Sequence, residues 1–158
     1  MQSKSPSIGR LIAACTLALT AVPAWADGLI VNGRDRALAI YATNGAAGGA
    51  MLKLHNRCGP ANLECVWIYR NGLLYNAKTN LVVLALKLEP GAPLVLADTG
   101  NCGPQGRACL WTYRDGMFIS YADPRLSIVA WGGPRFGSEL RLNVNCNPSI
   151  PDCVWSRP

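Results

Sequence analysis

From residue 28 onward the chain is made of short apolar runs, each closed by Gly, Asn, Asp or Pro, and no stretch of a dozen residues sustains a helical period. Between residues 72 and 115 the runs are Leu73-Leu74-Tyr75, Leu81-Val82-Val83-Leu84-Ala85-Leu86, Pro93-Leu94-Val95-Leu96 and Cys109-Leu110-Trp111-Thr112-Tyr113. Runs of this length, rich in β-branched and aromatic residues and separated by turn formers, predict strands. The same four runs occur in repeats 28–71, 72–115 and 116–158, so the pattern predicts twelve strands. Landmarks 44 residues apart keep the register: Cys58, Cys102 and Cys146; Cys65, Cys109 and Cys153; Trp67, Trp111 and Trp155; Gly28, Gly72 and Gly116. A period of this size marks one supersecondary unit copied along the chain, and no single copy can bury its apolar face alone.

Positions that stay apolar in all three copies fall two apart, as a pleated strand facing a core requires. Leu38, Val82 and Leu126 form one inward set, Ile40, Leu84 and Ile128 the next, and Leu52, Leu96 and Leu140 a third, joined by Ile30, Leu74, Phe118 and the three tryptophans. The intervening positions vary (Met51, Val95 and Glu139; Lys53, Ala97 and Arg141) and are predicted to face outward. Asn71-Gly72 and Asp115-Gly116 stand between strand runs, where they supply the positive φ angles of type I′ hairpins. A propeller with four-stranded blades needs at least four of them to close. Three copies therefore predict an all-β fold, a β-trefoil of three pseudo-symmetric 44-residue repeats closed into a ring.

Lys4 and Arg10 precede an apolar run from Leu11 to Val22 that ends in Pro23-Ala24-Trp25-Ala26, the anatomy of a signal peptide over residues 1–26, cut after Ala26. A lipoprotein reading of Ile12-Ala13-Ala14-Cys15 leaves too short an apolar stretch before the cysteine. The mature domain is then 27–158, secreted or periplasmic, with no transmembrane segment. Loss of Cys15 leaves six cysteines, an even number that outside the cytosol implies disulfides. Repeat symmetry pairs Cys58 with Cys65, Cys102 with Cys109 and Cys146 with Cys153. Cysteines seven apart with no histidine partner do not fit a zinc site, and neither a metal nor another cofactor is expected. The net charge of +6 comes from scattered residues rather than a basic run interleaved with aromatics, so nucleic acid is not an expected partner.

With Cys65-Val66-Trp67, Cys109-Leu110-Trp111 and Cys153-Val154-Trp155 standing at a Q-x-W position, and Gly91-Ala92-Pro93-Leu94-Val95-Leu96 as a Gly-led apolar strand, the whole mature chain resembles the ricin B-type (R-type) lectin β-trefoils. The resemblance implies carbohydrate binding, with two departures. Cysteine replaces the glutamine of Q-x-W in every repeat, and the family's sugar-binding Asp would fall at Ala39, Val83 and Ser127, none of which is a carboxylate. Carried over position by position, the family pocket reads Val83, Val95, Ala97 and Ala108 in unit two, which is apolar throughout, and Ala39, Met51, Lys53 and Glu64 in unit one. Unit three offers Ser127, Glu139, Arg141 and Asp152, with Trp131 in the loop Trp131-Gly132-Gly133-Pro134-Arg135-Phe136-Gly137. Only unit three combines an aromatic face with polar groups, as a sugar cleft needs. The competing reading makes Glu139 and Arg141 a solvated ion pair and Trp131 and Phe136 loop anchors.

An enzyme is not expected. The single histidine, His55, has Thr99 and Asn143 at the repeat positions, and neither a nucleophile elbow nor a metal-binding helix motif occurs. The expected function is a secreted, noncatalytic recognition module for a glycan or glycoprotein, alone or as the cell-binding part of a toxin or surface assembly. The alternative is a protein-binding trefoil, an inhibitor or subunit, docking through Arg36, Arg57, Arg107, Arg135, Trp131 and Phe136.

Overall fold

Asn71 and Asp115 adopt left-handed φ angles of 52° and 53°, and the glycines after them 78° and 79°, so both dipeptides form the tight hairpins their sequence demands. These turns join neighbouring units in the computed structural model, which describes residues 27–156. The signal peptide expected at 1–26 lies outside the described residues. Unit one holds β1 (Gly28–Leu29), β2 (Val31–Asn32), β3 (Ala39–Ala42), β4 (Leu52–His55) and β5 (Val66–Arg70). Unit two holds β6 (Leu73–Asn76), β7 (Val82–Ala85), β8 (Leu94–Ala97) and β9 (Trp111–Arg114), and unit three β10 (Met117–Ser120), β11 (Ser127–Ala130), β12 (Leu140–Asn143) and β13 (Trp155–Ser156). The twelve expected strands are thirteen among the described residues, because the first is interrupted at Ile30, where it leaves β5 and joins β13 and β3.

The first and last strands of the units close a barrel. Trp67 pairs with Asn76, Trp111 with Ser120 and Trp155 with Asn32, the last of these joining the two ends of the described chain. Each tryptophan is at most 2% exposed, and its indole N–H donates to a second-strand carbonyl of its own unit: Trp67 to Ile40 at 2.9 Å, Trp111 to Val83 at 3.1 Å and Trp155 to Ile128 at 3.0 Å. A buried indole donor is costly without such a partner, so these bonds fix where each second strand lies beneath the core. The disulfides join Cys58–Cys65, Cys102–Cys109 and Cys146–Cys153, each inside one unit.

Unit two departs from strict 44-residue spacing and regains it. Val31 pairs with Ala39 and Ile119 with Ser127, but Tyr75 pairs with Val82, one residue early. The hairpin that follows is shorter by one more, with Ala85 opposite Leu94 where Ala42 faces Leu52 and Ala130 faces Leu140. Two extra residues before Cys102, in the 3-10 turn Thr99–Asn101, restore the period. This corrects the inward sets: Val83, Ala85, Leu94 and Leu96 enter the main core, with Leu81 packed against it, while Val82 and Leu84 lie in a separate cluster with Cys102 and Cys109. The structural counterparts are thus Ala39, Val82 and Ser127, and His55, Ala97 and Asn143, rather than the residues that the spacing matched.

The third strands converge on the pseudo-threefold axis. Met51 bridges Val95, Pro93 bridges Arg141 and Glu139 bridges Lys53, one contact repeated three times in the corrected register. Gly49, Gly91 and Gly137, all at φ near +80°, donate across this axis to Leu96, Leu142 and Leu54. The positions between the leucines were expected to face solvent. They face one another at the axis, which is why Val95 is only 6% exposed.

Candidate functional site

A cleft of about 470 Å³ opens in unit three between the end of the β11–β12 hairpin and the segment that carries the last disulfide. Trp131, Asn143, Asn145 and Asp152 bring its polar and aromatic character, and Val129 and Ile150 its apolar floor. Trp131 follows β11 directly and is 45% exposed, because the positive φ angles of Gly132 and Gly133 turn the chain away at once. Asp152 sits in the 3-10 turn Pro151–Cys153, anchored by the disulfide, and its Oδ1 lies 3.3 Å from Nη1 of Arg34. Arg34 is held near by its own amide, which donates to Oδ1 of the buried Asn32.

Two of the five candidate residues, Trp131 and Asp152, therefore share one concavity. Ser127 does not line it. It is 4% exposed, and two residues further along the same strand Val129 occupies the cleft-facing position. Glu139 and Arg141 do not line it either. Arg141 donates from Nε and Nη2 to Oε2 of Glu139 at 3.0 and 2.7 Å and from Nη1 to the Gly91 carbonyl at 3.0 Å, and Lys53 Nζ stands 3.9 Å from Glu139 Oε1. This is the ion-pair arrangement, set at the pseudo-threefold axis. It still touches the cleft through Trp131, whose ring centroid lies 5.7 Å from the Arg141 guanidinium carbon. Arg141 thus packs against Trp131 from outside the cleft.

The pseudo-symmetric positions in the other two units differ in chemistry. In unit one Tyr41 stands where unit three has Val129, and Glu64 where it has Asp152. Lys78 Nζ donates to Glu64 Oε1 at 2.7 Å, and this hydrogen bond holds the Glu64 carboxyl below the usual carboxylate range. Tyr41 is pushed up, first by burial and then by the adjacent Glu64 charge. In unit two the corresponding positions are Leu84 and Ala108, both apolar.

His55 is not an ordinary surface residue. Its ring contacts Tyr41 at 5.1 Å between centroids and Phe136 of unit three at 5.0 Å, and its Nδ1 accepts from the Arg57 amide at 2.9 Å. Sequence reasoning missed this group because its members come from two units, and no spacing within one unit reports them.

No family model and no curated protein sequence matches the chain. Solved structures do. The agglutinin of Abrus precatorius superposes with a TM-score of 0.72 at 13% identity over 90% of this chain, which spans about half (51%) of the agglutinin's length. The C-half of the earthworm R-type lectin, solved in complex with GalNAc, gives 0.65 at 10% identity over 82% of this chain and 95% of its own. A designed threefold symmetric protein, ThreeFoil, gives 0.66 at 12% identity with the same two coverages. The fold is a β-trefoil, the architecture this chain shares with the earthworm R-type lectin and the threefold design. At these identities the likeness is one of architecture, so what this lectin-like trefoil binds must be argued from its own clefts. Its three disulfides fit an extracellular protein, and among the described residues no helix is long and apolar enough to cross a membrane.

Proposed function

We propose that the protein is a secreted, noncatalytic lectin-like module, alone or as the cell-binding part of a larger assembly, and that it binds carbohydrate in the unit-three cleft. The observation that carries this reading is the exposed face of Trp131 across one concavity from the Asp152 carboxylate and the Asn143 and Asn145 amides. An indole face packs against the C–H side of a pyranose, while a carboxylate and amides accept from and donate to its hydroxyls. The Arg34–Asp152 pair is open to water, with the Arg34 side chain 64% exposed, so it costs little to rearrange when a hydroxyl takes its place. Arg141, with Glu139 behind it, serves as a positioning residue for the Trp131 ring, and Ser127 has no direct part. The carboxylates Glu64, Asp152 and Glu139 each engage a cation, which suits recognition better than proton transfer.

A broad glycan array tests the reading. The wild-type protein should bind a defined set of neutral glycans, and Trp131→Ala or Asp152→Asn should abolish binding while leaving the circular dichroism spectrum unchanged. A folded wild-type protein silent across the array would overturn it.

A further inference from the structure

Unit three breaks the symmetry of the trefoil at Phe136, whose counterparts beside the axial glycines are Gly48 in unit one and Pro90 in unit two. Phe136 is 62% exposed, more than any other large apolar side chain described. Neither the core nor the barrel uses it. Its ring meets His55 of unit one edge-on at 71°, and a second cleft, of about 320 Å³, opens there with His55, Asn56, Arg57 and Phe136 as its lining. His55 is fixed from two sides, by Tyr41 and by the Arg57 amide that donates to Nδ1. With Nδ1 accepting, Nε2 is the donor nitrogen of the neutral ring. The Arg57 side chain is exposed and forms no ion pair among the described residues, and no acidic residue lines the cleft.

From these residues we propose a second ligand site, between units one and three, for a sugar that bears a carboxylate, such as a hexuronic acid. Phe136 supplies the flat face for the pyranose C–H groups. The His55 Nε2–H and the Asn56 amide reach its hydroxyls, and the Arg57 guanidinium takes the carboxylate through two parallel hydrogen bonds. The volume sits at the small end of ligand clefts and suits one monosaccharide residue. The uncompensated guanidinium selects an anion, and the exposed ring selects one with an apolar face. This site shares no lining residue with the unit-three cleft and does not depend on it.

The test is an amide chemical-shift titration of the isotopically labelled protein with glucuronate, glucose and acetate at matched ionic strength. Glucuronate should shift the amides of residues 55–57 and 136 in a saturable way, and glucose and acetate should not. Arg57→Gln, which keeps the amide bonded to His55, should weaken glucuronate binding about tenfold or more, the factor set by loss of a charge-assisted hydrogen bond. Phe136→Ala should weaken it as well, and Arg114→Gln, a charge removed elsewhere on the surface, should leave it unchanged. The proposal is overturned if glucuronate leaves these amides unmoved, if glucose or acetate moves them equally, or if Arg114→Gln weakens binding as much as Arg57→Gln. A neutral glycan that shifts Trp131 and Asp152 in the same samples would report the other cleft separately, so failure of either reading leaves the other standing.

Discussion

Tyr69 donates its phenolic hydroxyl to the backbone carbonyl of Trp111 at 2.7 Å, and Tyr113 repeats the bond to Trp155 at 2.8 Å. Each tyrosine belongs to the last strand of one unit and each acceptor to the last strand of the next, so the bonds tie neighbouring units across the barrel. Phe118 contacts both rings, at 5.8 and 4.9 Å. The Tyr69 oxygen also accepts from the Tyr113 amide at 3.3 Å, so one hydroxyl bridges the Trp111 carbonyl and the Tyr113 amide. Tyr69→Phe should therefore cost about 1–2 kcal/mol in urea unfolding, since it removes the hydroxyl that donates to the Trp111 carbonyl and accepts from the Tyr113 amide. A loss within error of zero would show that water replaces the hydroxyl.

Burial also raises the pKa of both tyrosines above its ordinary value. The folded state thus keeps their protons at a pH where the unfolded chain has released them. Their contribution is fully present below about pH 10 and is lost as pH climbs from there through the raised folded values. The alkaline limb of the stability curve should flatten in the Tyr69→Phe/Tyr113→Phe double variant. An unchanged alkaline slope would assign that limb to other groups.

The three disulfides differ in shelter. Cys102 and Cys109 are 1% and 0% exposed, whereas Cys58 and Cys146 are only half-buried. Mild thiol reductant followed by differential alkylation and mass spectrometry should find Cys58–Cys65 and Cys146–Cys153 opened before Cys102–Cys109. Replacing both cysteines of any one pair by alanine should cost roughly 2.5 kcal/mol, the chain-entropy value for an eight-residue loop.

Gly116 and Gly137 share a left-handed backbone, with φ of 79° and 83°, but differ in their surroundings. A Cβ at Gly116 would lie 2.9 Å from Val154 Cγ1, whereas at Gly137 nothing stands within 4 Å. Gly137→Ala should cost about 1 kcal/mol from backbone strain alone, and Gly116→Ala about 1–3 kcal/mol more from the added clash. Thermal unfolding of the two variants separates these terms. Equal losses would mean that Val154 moves aside freely.

The fold was legible because its strongest marks are local and repeated. A hairpin needs only its Asn-Gly or Asp-Gly pair, a disulfide seven residues apart needs only its own loop, and the tryptophan in each last strand needs only a core to enter. The candidate site was legible in part. Trp131 and Asp152 were identified from residue type and repeat position and do share a cleft, while Glu139 and Arg141 satisfied each other at the axis and Ser127 was covered by its neighbours.

The sequence by itself determined three units, their turns, their sulfur pairing and a shared apolar centre, because period, turn chemistry and burial act over a few residues at a time. Only the tertiary structure decided that unit two runs one and then two residues short before recovering, since its cysteines and tryptophan return to the 44-residue beat and conceal the slip. It alone decided that third-strand side chains meet at an axis and that His55 meets Phe136. Both contacts join residues of different units, and what brings such residues together is the closure of the barrel, which no stretch of the chain records.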